Sequence, residues 1–161
     1  MQVEIIKNKE EPSSKRILVV DDDETIRQLM DATLTSEGFK VKTARDGRGI
    51  LQIVGSFPPH LIITDLMMPG GGGYELLRVL QADPATSKTP VLIISGANLD
   101  NSTKAMMQQE PNVKGFIEKP LHPYSLMVKI HQLLNTKTKE EKMIEEHLED
   151  MKKFEPRKFD F

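Results

Sequence analysis

The chain contains no cysteine, so it has neither a disulfide framework nor a thiolate metal site. It has no long apolar run, and nothing in it approaches the roughly 20 apolar residues that a membrane-spanning helix needs. Met1 to Glu11 mixes both charges and lacks the apolar core of a signal peptide. Neither charge sign dominates: 22 Lys and Arg stand against 24 Asp and Glu, a net charge of −2. That balance offers no basic field for nucleic acid or an anionic membrane. There is also no internal repeat. What remains is an ordinary globular composition, 38% hydrophobic and 29% charged, in 161 residues. This length fits one domain and is short for two. A reducing cytoplasm is compatible with a cysteine-free chain, and a cytoplasmic location is the expectation.

Strand-like and helix-like stretches alternate along the chain. Arg16 to Val20 is an apolar run of strand length, and Ile26, Leu29, Met30 and Leu34 then recur at helical spacing until Gly38. Lys40 to Thr43 reads as a second strand and Arg48 to Val54 as a short helix stopped by Gly55 and Pro58-Pro59. Leu61 to Thr64, Val91 to Ile94 and Val113 to Ile117 read as strands three to five. Tyr74 to Gln81, Asn101 to Gln109 and Tyr124 to Leu134 read as the intervening and closing helices. Continuous Val, Ile and Leu strands mark a parallel sheet buried on both faces. The alternation predicts a doubly wound α/β sandwich with right-handed crossovers.

Two segments fall outside that pattern. Residues 1–14 are polar and expected to be flexible, residues 15–135 form the domain, and 136–161 form a charged, helical tail. In the tail Ile144, Leu148 and Met151 lie at helical spacing. Its middle is acidic, its end is basic, and Phe154, Phe159 and Phe161 close the chain. The stripe suits either docking or a solvated helix.

The chemistry sits at strand ends. Asp21-Asp22-Asp23 follows the first strand and Asp65 the third, the carboxyl edge at which open α/β sheets carry their sites. Carboxylates gathered in one crevice repel unless a cation lies among them. Oxygen-only ligands suit Mg²⁺, with Mn²⁺ as a substitute. A carboxylate can also act as a phosphoryl nucleophile. Lys119, after the fifth strand and before Pro120, supplies a positive charge, and Ser95, at the end of the fourth, a hydroxyl.

These pieces together resemble the receiver domain of two-component response regulators. The matching runs are Leu18-Val19-Val20-Asp21-Asp22-Asp23, Thr64-Asp65-Leu66-Met67-Met68-Pro69-Gly70, Ile94-Ser95-Gly96-Ala97 and Phe116-Ile117-Glu118-Lys119-Pro120, in the family's order and spacing between Lys15 and Leu134. The resemblance implies a flavodoxin-like fold with strand order 2-1-3-4-5. It implies that Asp65 accepts a phosphoryl group from a sensor histidine kinase or a histidine phosphotransfer protein. Asp22, Asp65 and the backbone carbonyl of Met67 would ligate Mg²⁺, with Asp21 acting through a metal-bound water. Ser95 and Lys119 would hold the phosphoryl oxygens. Phe116, where the family more often has Tyr, would move with Ser95 and alter the face made by the fourth helix, fifth strand and fifth helix. The chain would then be a signalling phosphoacceptor rather than an enzyme, working through an unidentified downstream protein, that face or the tail. A homodimer is compatible with this picture.

Gly70 to Gly73 predicts a mobile loop beside the site. Ala97 would leave the phosphoryl group open to water, and Met67 carries no polar group to orient an attacking one. Taken singly, Asp22 or Asp23 reads as a helix cap. His60, His122, His131 and His147 lack metal-like pairing and read as surface residues. No second globular core follows Leu134, which argues against an output domain within these residues. Three rivals stay open: a piece of a larger regulator, an Mg²⁺-dependent phosphohydrolase, and a flavin-binding relative. Met67 stands where the second would place a general base. Three aspartates stand where the third needs a phosphate cradle.

Overall fold

The computed structural model describes residues 1–66, 73–96 and 99–154. Five parallel strands form one sheet in the order β2-β1-β3-β4-β5: β1 Arg16–Val20, β2 Lys40–Ala44, β3 Leu61–Asp65, β4 Val91–Ser95 and β5 Val113–Glu118. This is the doubly wound order implied by the resemblance. Side chains alternate across each strand, and that alternation builds two core layers. Ile17, Val19, Leu61 and Ile63 face one layer with Met30, Leu34, Met127 and Ile130. Leu18, Val20, Ile62 and Ile93 face the other with Val54, Leu77, Leu80 and Met107. Strands β3 and β4 are buried throughout and β1 from Ile17 onward, whereas edge strands β2 and β5 are only partly covered.

The helices follow from local chemistry. After a six-residue α1 (Gln2–Lys7), α2 spans Glu24–Ser36. Asp23 caps α2, its carboxylate accepting from the N–H groups of Thr25 at 2.8 Å and Ile26 at 3.3 Å. Gly38, at φ +101°, turns the chain out of α2 toward β2. The third helix starts later than the spacing predicts, at Ile50, because Gly49 holds a left-handed φ of +72°; it then runs through Gly55 to Ser56. α4 is Gly73–Ala82 and α5 is Asn101–Gln108, the latter capped by Asp100. α6 (Pro123–Leu134) opens on a proline, which costs no hydrogen bond in a first turn, and ends at Asn135 with φ 51°.

Residues 1–14, read from the sequence as a flexible segment, carry regular structure. Beyond α1 they contain a 3₁₀ turn, Pro12–Ser14, and they pair with the tail. Glu10 N–H donates to the Asn135 carbonyl at 2.9 Å, and Lys137 N–H donates to the Glu10 carbonyl at 3.0 Å. The tail forms α7, Lys139–Lys153, opened by a reciprocal capping box between Thr138 and Glu141. Lys9 meets Glu141 at 2.5 Å, while Lys142 and Lys137 reach Glu11 at 3.0 and 3.1 Å. These oppositely charged partners lie more than a hundred residues apart, so local periodicity carried no sign of them.

His131 also departs from the sequence reading. It is buried in α6, with Nδ1 2.8 Å from Thr136 Oγ1 and Nε2 3.1 Å from Glu37 Oε2. The ring thus joins α6, the C-terminal end of α2 and the start of the tail.

Candidate functional site

Hydrogen bonding between neighbouring strands sets the frame of the site. Asp65 closes β3 opposite Ile94, and Ser95 closes β4 opposite Glu118. The N–H of Lys119 donates to the Ser95 carbonyl at 2.8 Å, which fixes the end of β5 beside that of β4. The N–H of Asp21 donates to the Ala44 carbonyl at 3.1 Å, holding the acidic turn against the end of β2. One rim thereby collects the carboxyl ends of the strands.

Asp21, Asp22 and Asp65 converge there, each offering a carboxylate oxygen, all within 4.8 Å of one another. Asp21 and Asp65 are buried, at 2% and 6% exposure, while Asp22 is exposed. Lys119 Nζ lies 2.7 Å from Asp65 Oδ2 and 3.5 Å from Asp21 Oδ2. Burial works against the Lys119 ammonium, but the hydrogen bond to Asp65 and the adjacent carboxylate charges outweigh it and hold the group above the ordinary lysine value. Burial pushes the Asp21 carboxyl above the usual aspartate range. The Asp23 N–H, donating at 2.9 Å, and Lys119 pull it back, and Asp65 pushes it further up.

Among the described residues, two buried oxygens here accept no hydrogen bond: Asp21 Oδ2, which has only the 3.5 Å ion-pair contact with Lys119, and Ser95 Oγ. A buried polar atom without a partner costs about 1–3 kcal/mol, so a fold retains one where something else completes it. The all-oxygen donor set, its converging negative charge and the unsatisfied Asp21 oxygen fit a hard divalent cation such as Mg²⁺. Ser95 Oγ offers a donor to an anion arriving beside Asp65.

Of the residues singled out in the sequence, Asp21, Asp22, Asp65 and Lys119 meet in one cluster, with Ser95 at the adjoining strand end. Asp23 serves instead as the cap of α2. Phe116, opposite Ile93, is partly buried and packs on the layer holding α3, α4 and α5. Met67, Ala97 and the first three glycines of Gly70 to Gly73 lie outside the described residues. Gly73 itself is buried at the start of α4, and its N–H donates to the Leu66 carbonyl at 3.0 Å. A Cβ on Gly73 would stand 3.0 Å from both the Asp65 carbonyl oxygen and Leu66 Cα. The sequence reading took this glycine only as a source of mobility; its position at the end of the glycine run was the available signal for close backbone approach.

Comparison with known proteins agrees with this geometry. Residues 17–131 match the response regulator receiver domain family. Response regulator PleD of Caulobacter vibrioides is 36% identical over 124 residues, covering 77% of this chain and 27% of that protein. DNA-binding response regulator MtrA of Mycobacterium leprae is 32% identical over 120 residues, covering 74% of this chain and 51% of MtrA. The chain therefore spans about a quarter to a half of these curated relatives. Among solved structures, the chemotaxis response regulator CheY4 of Vibrio cholerae aligns with a TM-score of 0.67 at 28% identity, covering 74% of this chain and 98% of that one. The receiver-protein domain of Methanoculleus marisnigri aligns at 0.60 with 29% identity, over 76% of this chain and 98% of that one. With the family match covering most of the chain and every strand, this protein belongs to the response regulator receiver domain family of two-component signalling.

Proposed function

We propose that this domain takes a phosphoryl group on Asp65 from the phosphohistidine of a sensor histidine kinase or a histidine phosphotransfer protein. The observation that carries this is the approach of Lys119 Nζ to Asp65 at 2.7 Å, within the cluster of three carboxylates. An Asp65 carboxylate oxygen attacks phosphorus, a P–O bond forms, and the P–N bond to the donor imidazole breaks with its electron pair returning to nitrogen. Lys119 keeps its proton throughout, being held above the ordinary lysine value, and balances charge on the incoming phosphoryl oxygens. Ser95 donates its hydroxyl to another of those oxygens. Asp22, Asp65 and the Met67 carbonyl would hold Mg²⁺, with Asp21 reaching it through water. When bound, the ion neutralises phosphoryl charge.

Phosphorylation then replaces the Lys119–Asp65 contact with one to the new phosphoryl group. Ser95 moves toward it, Phe116 follows into the space left, and the α5–β5–α6 face changes for a downstream protein. These helices are the fourth and fifth of the sandwich when α1 is set aside.

The test is incubation with Mg²⁺ and acetyl phosphate, followed by intact mass. The native chain gains one phosphoryl group and Asp65→Ala gains none. Modification of the Asp65→Ala chain to the same extent would refute Asp65 as acceptor. Lys119→Ala should bind beryllofluoride but fail to shift the α5–β5–α6 resonances.

A further inference from the structure

Arg27, the fourth residue of α2, is a partly exposed cation beside the acidic turn that takes no part in the proposed transfer to Asp65. Its side chain runs back past the helix start, the direction that helical side chains favour. There a guanidinium N–H donates to the Asp21 carbonyl at 2.7 Å. Helix electrostatics do not explain this placement, because a positive charge at a helix N-terminus opposes the macrodipole. Ion pairing does not explain it either. Among the described residues, the ion pairs at the rim come from Lys119, and Arg27 forms none.

The bond completes a set of tethers on the acidic turn. The Asp21 N–H donates to the Ala44 carbonyl, Asp21 Oδ1 accepts from the Asp23 N–H, and the Asp21 carbonyl accepts from Arg27. Asp23 in turn caps α2. The exposed Asp22 stands between these two anchored residues. Among the described residues its carboxylate makes no hydrogen bond, so the backbone of the turn sets its direction. It nevertheless converges with Asp21 and Asp65, all within 4.8 Å, against the repulsion of like charges.

We infer that Arg27 is a positioning residue: by holding the Asp21 carbonyl, it aims the Asp21 and Asp22 carboxylates into the rim and so sets the affinity of the site for Mg²⁺. The inference rests on the Mg²⁺-assisted reading of Asp65 and adds a part to it. A bond from a charged donor is stronger than a neutral one, and this one ties the turn to the helix that follows. Without it the turn is free to relax, and the Asp22 carboxylate turns toward water.

The sign of the effect separates positioning from charge. Removing a nearby cation, by Coulomb's law alone, tightens the binding of another cation. Removing a group that orients the ligands weakens it. Titration of the ¹⁵N-labelled full chain with Mg²⁺, followed by amide shifts, gives the dissociation constant. Arg27→Met keeps the stem and a good helix former while removing donor and charge. Its dissociation constant should rise about tenfold, the smaller of the losses that follow removal of a group orienting a metal ligand. Arg27→Lys keeps the charge and a donor without the planar fork, and should fall between Arg27→Met and the native chain. In metal-free buffer, amide exchange should quicken at Asp23, whose N–H bonds Asp21, while the second half of α2 keeps its protection. Circular dichroism checks the fold. Were Arg27→Met to unfold, Arg27→Lys must still bind Mg²⁺ more weakly than the native chain. A folded Arg27→Met chain that binds Mg²⁺ as tightly as the native one, or more tightly, overturns the inference. Asp22→Ala tells this failure from a failure of the underlying reading. If Asp22→Ala binds Mg²⁺ like the native chain, the metal site falls and the inference with it. Weak binding by Asp22→Ala beside native binding by Arg27→Met removes the role of Arg27 alone.

Discussion

Asp21 is held in a conflict that only its surroundings create. It is 2% exposed, and among the described residues one of its oxygens accepts no hydrogen bond and meets only Lys119, at 3.5 Å. Burial raises its pKa above the usual range. A carboxyl whose folded pKa exceeds its unfolded one favours folding below the unfolded value and loses that contribution as pH rises through the folded value. In metal-free buffer at pH 7 the ionised group therefore costs stability. Asp21→Asn should raise the urea-unfolding free energy at pH 7 by about 1 kcal/mol, in line with the cost of an unsatisfied buried acceptor. The gain should vanish near pH 3, so an equal gain at both values would rule out the ionised carboxylate as its source. Gly73 works in the opposite direction. With a Cβ 3.0 Å from the Asp65 carbonyl, Gly73→Ala must push backbone against backbone. It should cost about 1–3 kcal/mol, as overpacking does, and slow acetyl phosphate labelling of Asp65. Unchanged stability together with an unchanged labelling rate would show that the Asp65 backbone does not feel this position. Asp21, Asp65 and Lys119 were legible because carboxylates and a lysine at strand ends are a pattern in the sequence. The Gly73 contact was not, since closeness between two backbones leaves no periodic trace.

Among the elements, the strands declared themselves most clearly. A strand buried on both faces must be apolar throughout, so β1, β3 and β4 were visible as runs. The α7 helix was visible too, through its stripe and charges, but its seat was not. That seat depends on His131, whose ring bonds Thr136 and Glu37 from inside the fold. A lone histidine looks the same in sequence whether it faces water or joins three elements. His131→Ala leaves Thr136 and Glu37 without this partner and should cost about 1–3 kcal/mol. Native-state amide exchange should show the loss concentrated at the start of α7 and the end of α2, with the central strands still protected at the new global limit. Uniform loss across α7, α2 and the sheet would mean that the histidine serves the core alone.

Across the whole molecule, the sheet brings three carboxylates and one lysine from three separated stretches to one rim. A ligand that binds only this assembled rim must stabilise the fold by mass action, by about 2.7 kcal/mol at a hundred times its dissociation constant. Mg²⁺ should accordingly raise the thermal unfolding midpoint, chelation should reverse the rise, and Asp22→Ala should abolish it while keeping the fold, because Asp22 is exposed. A midpoint that does not respond to Mg²⁺ in the native chain would contradict a metal site at this rim. Local pattern was enough for the order of elements, the doubly wound sandwich and the identity of the acidic and basic groups, because each rests on periodicity or on a residue's position next to its own strand. Only the packed fold settled which oxygens are left unsatisfied among the described residues, that Gly73 has no room for a side chain behind Asp65, and that the N-terminal segment meets the start of α7 through Glu10 and Lys9. Those outcomes depend on distances between residues far apart in the chain, and such distances exist only once the sheet has formed and its helices have packed.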